Sequence, residues 1–172
     1  MSGQFLVDTN FWLSCAHDLY PMRHFPTFWS EMEKYLAKGT ILLHWSVNTE
    51  IHRKDDDVKD WVDGLIKSGL LAEIPRPKDT PESYIDVCSW PLTCVRPHAK
   101  PYSKSAIKVF QDAGRADAWL CAQAMESGYA VVTRERPQPQ ASTVIKIPDV
   151  CDGLGISCLN YPEFFDAVGL VV

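Results

Sequence analysis

The sequence predicts an α/β protein, a three-layer α/β/α sandwich around a central parallel sheet of four to five strands. Two observations carry that prediction. Short apolar runs at Phe5-Leu6-Val7, Ile41-Leu42-Leu43, Tyr129 to Thr133 and Ile156 to Leu159 alternate with stretches whose apolar residues recur at helical spacing. Strands separated by helices pair in parallel, because each return to the same sheet edge needs a crossover. A third observation concerns chemistry: several of these runs end in, or shortly before, a carboxylate, at Asp8, Glu50 and Glu135.

The elements follow in order. The first strand is Phe5 to Asp8. Thr27 is the expected cap of a helix whose stripe is Phe28, Trp29, Met32, Tyr35 and Leu36, and Gly39 stops it. Ile41 to Trp45 reads as the second strand, with Ser46 as N-cap of a helix through Glu50 and Ile51. Asp55, Asp56 and Asp57 precede another stripe, Val58, Trp61, Val62, Leu65 and Ile66, closed by Gly69; such a run favours a helix start through capping and the helix dipole. Leu70 to Ile74 is a short extended piece, and Pro75 to Pro81 is a loop. Residues 82–95 and 103–112 read as helices. Ala116 to Glu126 is apolar on most faces and therefore belongs in the interior, and Gly128 ends it. Tyr129 to Thr133 is a buried strand, and Arg134 to Ser142 a polar loop. Ile156 to Leu159 is the last strand, before a helix capped by Asn160 that holds Phe164 and Phe165. Residues 46–112 are expected to form a helical elaboration over one end of the sheet.

Composition narrows the function classes. The 172 residues are 46% hydrophobic and 23% charged, which suits one globular domain over residues 1–172. No apolar run approaches the roughly 20 residues of a membrane span, and no basic patch leads into an apolar stretch at the start, so a cytoplasmic protein without membrane contact is expected. Six cysteines lack any Cys-x-x-Cys pair and several stand inside apolar runs, which fits reduced thiols and disfavours a zinc site. The net charge of −5 does not by itself exclude a nucleic-acid partner, since a carboxylate cluster makes a domain acidic and a bound cation reverses the local sign. Charge is also uneven: from Val95 to Gln111 there is no acid, whereas Arg96, His98, Lys100, Lys104 and Lys108 are present.

Asp8, Glu50, Asp117 and Glu135 each fall at a strand end or in the first turns of a helix. In a parallel sheet such positions gather on one edge. Two carboxylates about 4 Å apart repel by about 4 kcal/mol at an effective dielectric near 20, so four acids converging there must protonate, spread or bind a cation. Hard oxygen donors without a histidine pair select Mg²⁺ or Mn²⁺ over zinc. Such an ion lowers the pKa of bound water and neutralises a phosphate oxygen, the chemistry of phosphodiester hydrolysis.

The Val7-Asp8-Thr9-Asn10 start, a mid-chain acid after the second strand, Ala116-Asp117-Ala118 at a helix start and Val131-Val132-Thr133-Arg134-Glu135 together resemble a PIN domain, closest to the VapC-like toxin ribonucleases of type II toxin–antitoxin pairs. The segment Ile147-Pro148-Asp149-Val150-Cys151 followed by Gly155-Ile156 is similar to a poorly characterised PIN-like subgroup. The resemblance implies that Asp8, Glu50 and Asp117 hold the metal and position the attacking water. Glu135 stands where the family more often has Asp; the extra methylene reaches the metal through water or leaves that ligand weak, with Asp149 or Asp112 as supplements. Asn10 and Thr133 match positions that orient the acids or the water. A small antitoxin partner and a homodimer are implied as well.

For the RNA substrate, phosphate contacts are expected from Arg96, Lys100, Lys104 and Lys108, with Arg134 and Arg136 beside Glu135. Tyr102 and Trp12 are the expected base-stacking aromatics. Trp29 and Trp61 lie on helix stripes and read as core or dimer-interface residues. The alternative is a PIN-like module that binds RNA or a protein without efficient cleavage. A haloacid dehalogenase-type phosphatase requires a second Asp two residues after Asp8, where Asn10 stands.

Overall fold

The computed structural model describes residues 3–171. Five strands, β1 (Phe5–Val7), β2 (Ile41–His44), β3 (Glu73–Ile74), β4 (Ala130–Val132) and β5 (Cys158–Leu159), form one sheet in the order β3-β2-β1-β4-β5. Every pairing is parallel, with Phe5 beside both Ile41 and Ala130. Leu6, Val7, Ile41, Val131 and Val132 are almost wholly buried, as expected of strands covered on both faces.

One covering layer is aromatic. α1 (Thr9–Ser14) runs on into a π turn, Cys15–Leu19, and packs with α2 (Pro26–Ala37), α4 (Asp57–Lys67) and α9 (Tyr161–Val168). Phe5, Phe11 and Phe164 meet edge to face, and Trp12, Trp29 and Trp61 form a second cluster. Trp12 is therefore a core residue at 3% exposure, which removes it from the expected base-stacking set. The opposite layer is α5 (Glu82–Thr93), α7 (Ala116–Ser127) and α8 (Ile147–Leu154), with α6 (Lys104–Phe110) beside α5. α7 buries Ala116, Ala118, Trp119, Leu120, Cys121, Ala122 and Ala124, so its apolar character on most faces is explained by burial between β4, α5 and α8.

Four local expectations need correction. Thr27 does not cap α2: Phe25 holds the N-cap and Pro26 opens the helix, where its missing N–H is harmless. The N-cap of α3 (Trp45–Ile51) is His44, whose Nδ1 accepts the Ser46 N–H, so Ser46 is the second residue of the helix and not its cap. Residues 46–112 are not only a helical elaboration, because Glu73–Ile74 pairs with β2 and completes the sheet edge. Helices α1 and α8 were not anticipated; α8 opens on Ile147-Pro148 and closes at Gly155, whose φ of 68° is the left-handed conformation glycine tolerates. The second strand ends at His44, with Trp45 already in α3, and the last is shorter than Ile156 to Leu159. Two capping expectations hold, since Asp56 caps α4 by accepting from Val58 and Lys59, and Asn160 and Glu163 form a capping box on α9. All six cysteines are free.

Candidate functional site

Strand order reverses about β1, so the carboxyl ends of β1 and β4 flank the switch point at which ligands bind in open α/β sheets. Asp8 and Thr133 are the residues standing there. The Asp8 N–H donates to Val132 O at 2.9 Å, which continues the β1–β4 pairing and fixes the backbone under the carboxylate. Asp8 has 1% exposure, yet it caps α1 with no side-chain hydrogen bond to that helix. Among the described residues the carboxylate has one hydrogen-bond partner, Thr133, whose Oγ1 donates to Oδ2 at 3.0 Å. The same Thr133 oxygen accepts from the Glu135 N–H at 3.1 Å, so one hydroxyl ties the ends of both strands.

Burial pushes the Asp8 carboxyl up to about 7, the negative charges of Asp117, Glu135 and Glu50 push it the same way, and only the Thr133 hydrogen bond opposes them. All four acids therefore feel one another at this sheet edge. Asp117 is likewise held above the ordinary carboxylate range, chiefly by burial, with Arg115 opposing and Glu135 and Glu50 adding to the rise. Arg115 Nη2 lies 3.5 Å from Asp117 Oδ2.

The remaining two acids are held by the chain itself. Glu50 Oε2 accepts from Thr9 Oγ1 at 2.6 Å and Oε1 from the Ala116 N–H at 3.0 Å, so it links the start of α1 to the start of α7. Glu135 Oε1 pairs with Lys146 Nζ at 2.8 Å, and Oε2 accepts the Ile147 N–H at 2.8 Å, an orphan donor at the start of α8. Among the described residues no three His, Cys, Asp or Glu side chains stand close enough together to hold a metal ion. Electrostatic proximity and this spacing are compatible, because each acid is drawn toward its own protein partner. A cleft of about 290 Å³ opens beside them, lined by Arg115, Asp117, Glu135, Lys146 and residues of α6. A second cavity of about 540 Å³ lies on the other side of Glu135 and includes Thr133, Asp149 and Asn160.

The expected supporting residues divide. Thr133 occupies the centre of the site, whereas Asn10 is exposed and makes no side-chain hydrogen bond to any of the acids. Its neighbour Thr9 takes the orienting role on Glu50. Asp149 is buried with both oxygens on the Gln138 N–H and lies in the cavity with Glu135; Asp112 caps its own exposed turn at Gly114.

The expected RNA contacts are corrected in part. Arg96 donates to Lys100 O at 2.6 Å, Pro139 O at 2.8 Å and Ala141 O, and its guanidinium lies 3.7 Å from the Tyr102 ring centroid. It is thereby committed to pinning the 134–142 loop, and Tyr102, 7% exposed beneath it, has no face for a base. Arg134 pairs with Asp18 at 3.2 Å and binds Ser14. Lys100, Lys104, Lys108 and Arg136 are exposed. The cations nearest the acids are Arg115 and Lys146, which the acid-free stretch did not point to. Their signal is adjacency: Arg115 precedes Ala116-Asp117, and Lys146 precedes the Ile147 N–H that Glu135 caps.

The family described as a domain of unknown function, DUF4411, matches residues 5–172. The chain belongs to that family. The match spans all five strands and all four acids, so sheet and site lie inside the family's boundaries. No curated protein matches the chain. The DUF4411 description carries no chemistry, which leaves the geometry of the site to speak for function. Among the described residues no helix is long and apolar enough to cross a membrane.

Proposed function

We propose that this protein is a Mg²⁺- or Mn²⁺-dependent endoribonuclease that hydrolyses RNA phosphodiester bonds, in a cytoplasmic toxin–antitoxin setting. The observation that carries the reading is Asp8: a carboxylate wholly buried at the switch point of a parallel sheet, with three further acids raising its proton affinity. A buried acid in that position gains most from a cation. The donor set is carboxylate oxygen throughout, which fits a hard divalent ion, and Asp8, Asp117 and Glu50 would hold it once Glu50 turns from Thr9 and the Ala116 N–H and Asp117 turns from Arg115. When bound, such an ion supplies a Lewis acid for water activation and phosphate neutralisation.

The chain's own residues have separate tasks in this reading. Thr133 fixes the Asp8 carboxylate by donating to one oxygen only. Thr9 and the Ala116 N–H orient Glu50. Arg115 and Lys146 line the cleft next to Asp117 and Glu135 and place positive charge where an RNA phosphate enters. Glu135, with both oxygens engaged, positions Lys146 and the start of α8. That engagement, which Glu50 shares through Thr9 and the Ala116 N–H, also favours the second reading, an RNA- or protein-binding module with little cleavage, because it leaves Asp8 and Asp117 as the acids whose oxygens the chain does not fully occupy.

The two readings separate in one assay. Purified protein is incubated with unstructured and structured RNA, with Mn²⁺ or with EDTA. Manganese-dependent cleavage that drops at least a hundredfold in Asp8→Asn and Asp117→Asn, with less loss in Glu135→Gln, supports the ribonuclease. Binding without cleavage supports the module. A short DNA-binding-like protein encoded next to the chain that suppresses cleavage would place it in a toxin–antitoxin pair.

A further inference from the structure

On the β2–β3 side of the same sheet edge, a cavity of about 300 Å³ opens between α3 and the turn that leads into α7, lined by Trp45, Thr49, Glu73, Arg76 and Gly114 among others. α3 and Arg53 join its wall to the acid site. Trp45 and Glu50 share α3, and Arg53 reaches from Glu50, at 3.9 Å, to the carbonyl of Gly114 in the cavity wall.

Three features of this cavity point to a planar ligand. Arg76 is exposed and makes no ion pair or hydrogen bond among the described residues; its guanidinium sits 4.8 Å from the centroid of the Trp45 ring. Pro75 and Pro77 flank it and restrict its backbone to extended conformations, so the cation is presented from a stiff segment. Trp45 is 7% exposed, wedged edge-on against Trp119 at 5.1 Å, and its buried Nε1–H has no acceptor. An orphaned buried donor costs about 1–3 kcal/mol, which a ligand acceptor recovers. Glu73 adds the discriminating charge. Its carboxylate, which accepts from the Asn48 amide, disfavours a phosphate in the cavity and suits a ligand that offers N–H donors.

We propose that this cavity is a nucleobase subsite for single-stranded RNA, in which a base carrying an exocyclic amino group stacks on the open face of the Arg76 guanidinium, which Trp45 backs from beneath, while the strand continues toward Asp8 and Asp117. The inference rests on the ribonuclease reading for its substrate class. Guanidinium planes and indole rings are common platforms for unpaired bases, and stacking is worth about 1–3 kcal/mol per base.

The test measures fluorescence anisotropy of labelled oligoadenylate and oligouridylate with EDTA present, so that binding is read without cleavage, alongside cleavage kinetics in Mn²⁺. Arg76→Ala should weaken oligoadenylate binding about tenfold and raise KM by a similar factor with kcat little changed. Glu73→Gln should narrow the preference for adenylate over uridylate. Trp45→Phe, which keeps an aromatic platform and removes the N–H, should fall between wild type and Arg76→Ala, with a thermal melt confirming that it folds. If wild type binds and cuts RNA and Arg76→Ala does so equally well, the subsite is wrong and the ribonuclease reading stands. If Arg76-dependent binding occurs without cleavage, the subsite stands and the ribonuclease reading falls. Wild type that neither binds nor cuts either RNA overturns both.

Discussion

Replacing Asp8 by Asn should make the metal-free protein more stable, by an amount that grows with pH. The Asp8 carboxyl is pushed from an ordinary 3.8 up to about 7 by burial and by Asp117, Glu135 and Glu50. Between those values the folded state holds a proton that the unfolded chain has released, so rising pH favours unfolding. The favourable contribution of the protonated group is complete below 3.8 and is lost as the pH climbs through about 7. Each pH unit in that window removes about 1.4 kcal/mol from wild type, and the full span amounts to about 4 kcal/mol. Asn avoids the loss, because its amide has no charge to bury and its Oδ1 can still accept from Thr133. Urea denaturation of both proteins in EDTA, from about pH 5 to about pH 8, reads the difference directly. The two should diverge steadily and then run level at the alkaline end. Mn²⁺ at about a hundred times its Kd should then restore about 2.7 kcal/mol to wild type and nothing to Asp8→Asn. Stability profiles that run parallel across this range would mean that Asp8 carries no buried charge. Equal stabilisation of both proteins by Mn²⁺ would place the ion elsewhere.

Three further perturbations bear on the same framework. Thr133→Val leaves both the Asp8 oxygen and the Glu135 N–H without a partner, should cost about 2–3 kcal/mol, and should move the pH-dependent loss of stability to higher pH; Thr133→Ser should restore both, as urea melts across pH will show. Arg96→Ala removes bonds to three carbonyls and the Tyr102 stack, so limited proteolysis should find the 134–142 loop cut sooner, with a stability loss of about 2 kcal/mol and unchanged RNA affinity. Weakened RNA binding with an intact loop would return Arg96 to the substrate side. Gly153→Ala would normally favour a helix by up to about 1 kcal/mol, but a β-carbon at Gly153 runs into the indole of Trp90. Overpacking costs about 1–3 kcal/mol, so the clash should win and lower the melting temperature.

The sheet was legible because its strands are buried on both faces and therefore read as unbroken apolar runs bounded by glycine or an acid. Three of the five strands, β1, β2 and β4, stand out in this way; β5 is half-buried at the sheet edge and pairs only over Cys158–Leu159, and Leu70 to Ile74 reads as an extended piece though only Glu73–Ile74 pairs. What stayed hidden has a physical reason in each case. α1 is short and apolar on the sides that meet Phe164 and Trp29, so Phe11 and Trp12 give no helical stripe. α8 begins with proline and an acid and ends with two glycines, Gly153 and Gly155, which reads as a loop; Gly153 is there because Trp90 leaves no room for a side chain. The N-caps of α2 and α3 were misplaced because any nearby Ser or Thr competes for that role on paper, while His44, buried and pushed down to about 4 by desolvation, accepts as a neutral ring in the structure.

The site was legible as a set of acids and illegible as a set of contacts. Strand-end position brought Asp8 and Glu135 to one edge, and α3, which starts directly after β2, carries Glu50 to it in its last turn. Their partners follow from packing angles that no spacing encodes: Thr9 and not Asn10 meets Glu50, and Glu135 turns toward Lys146 and the Ile147 N–H. The basic stretch shows the same limit from the other side. A run free of acids looks like a phosphate track, yet the charge of Arg96 is spent on backbone carbonyls, since a loop of prolines and glutamines that cannot pair with a strand still needs its C=O groups satisfied. Arg76, isolated between prolines and far from any basic run, keeps its guanidinium over Trp45 without a partner. For a cation, the decisive property is the number of acceptors its own chain offers it, and by that measure Arg76 is left for a ligand among the described residues and Arg96 is not.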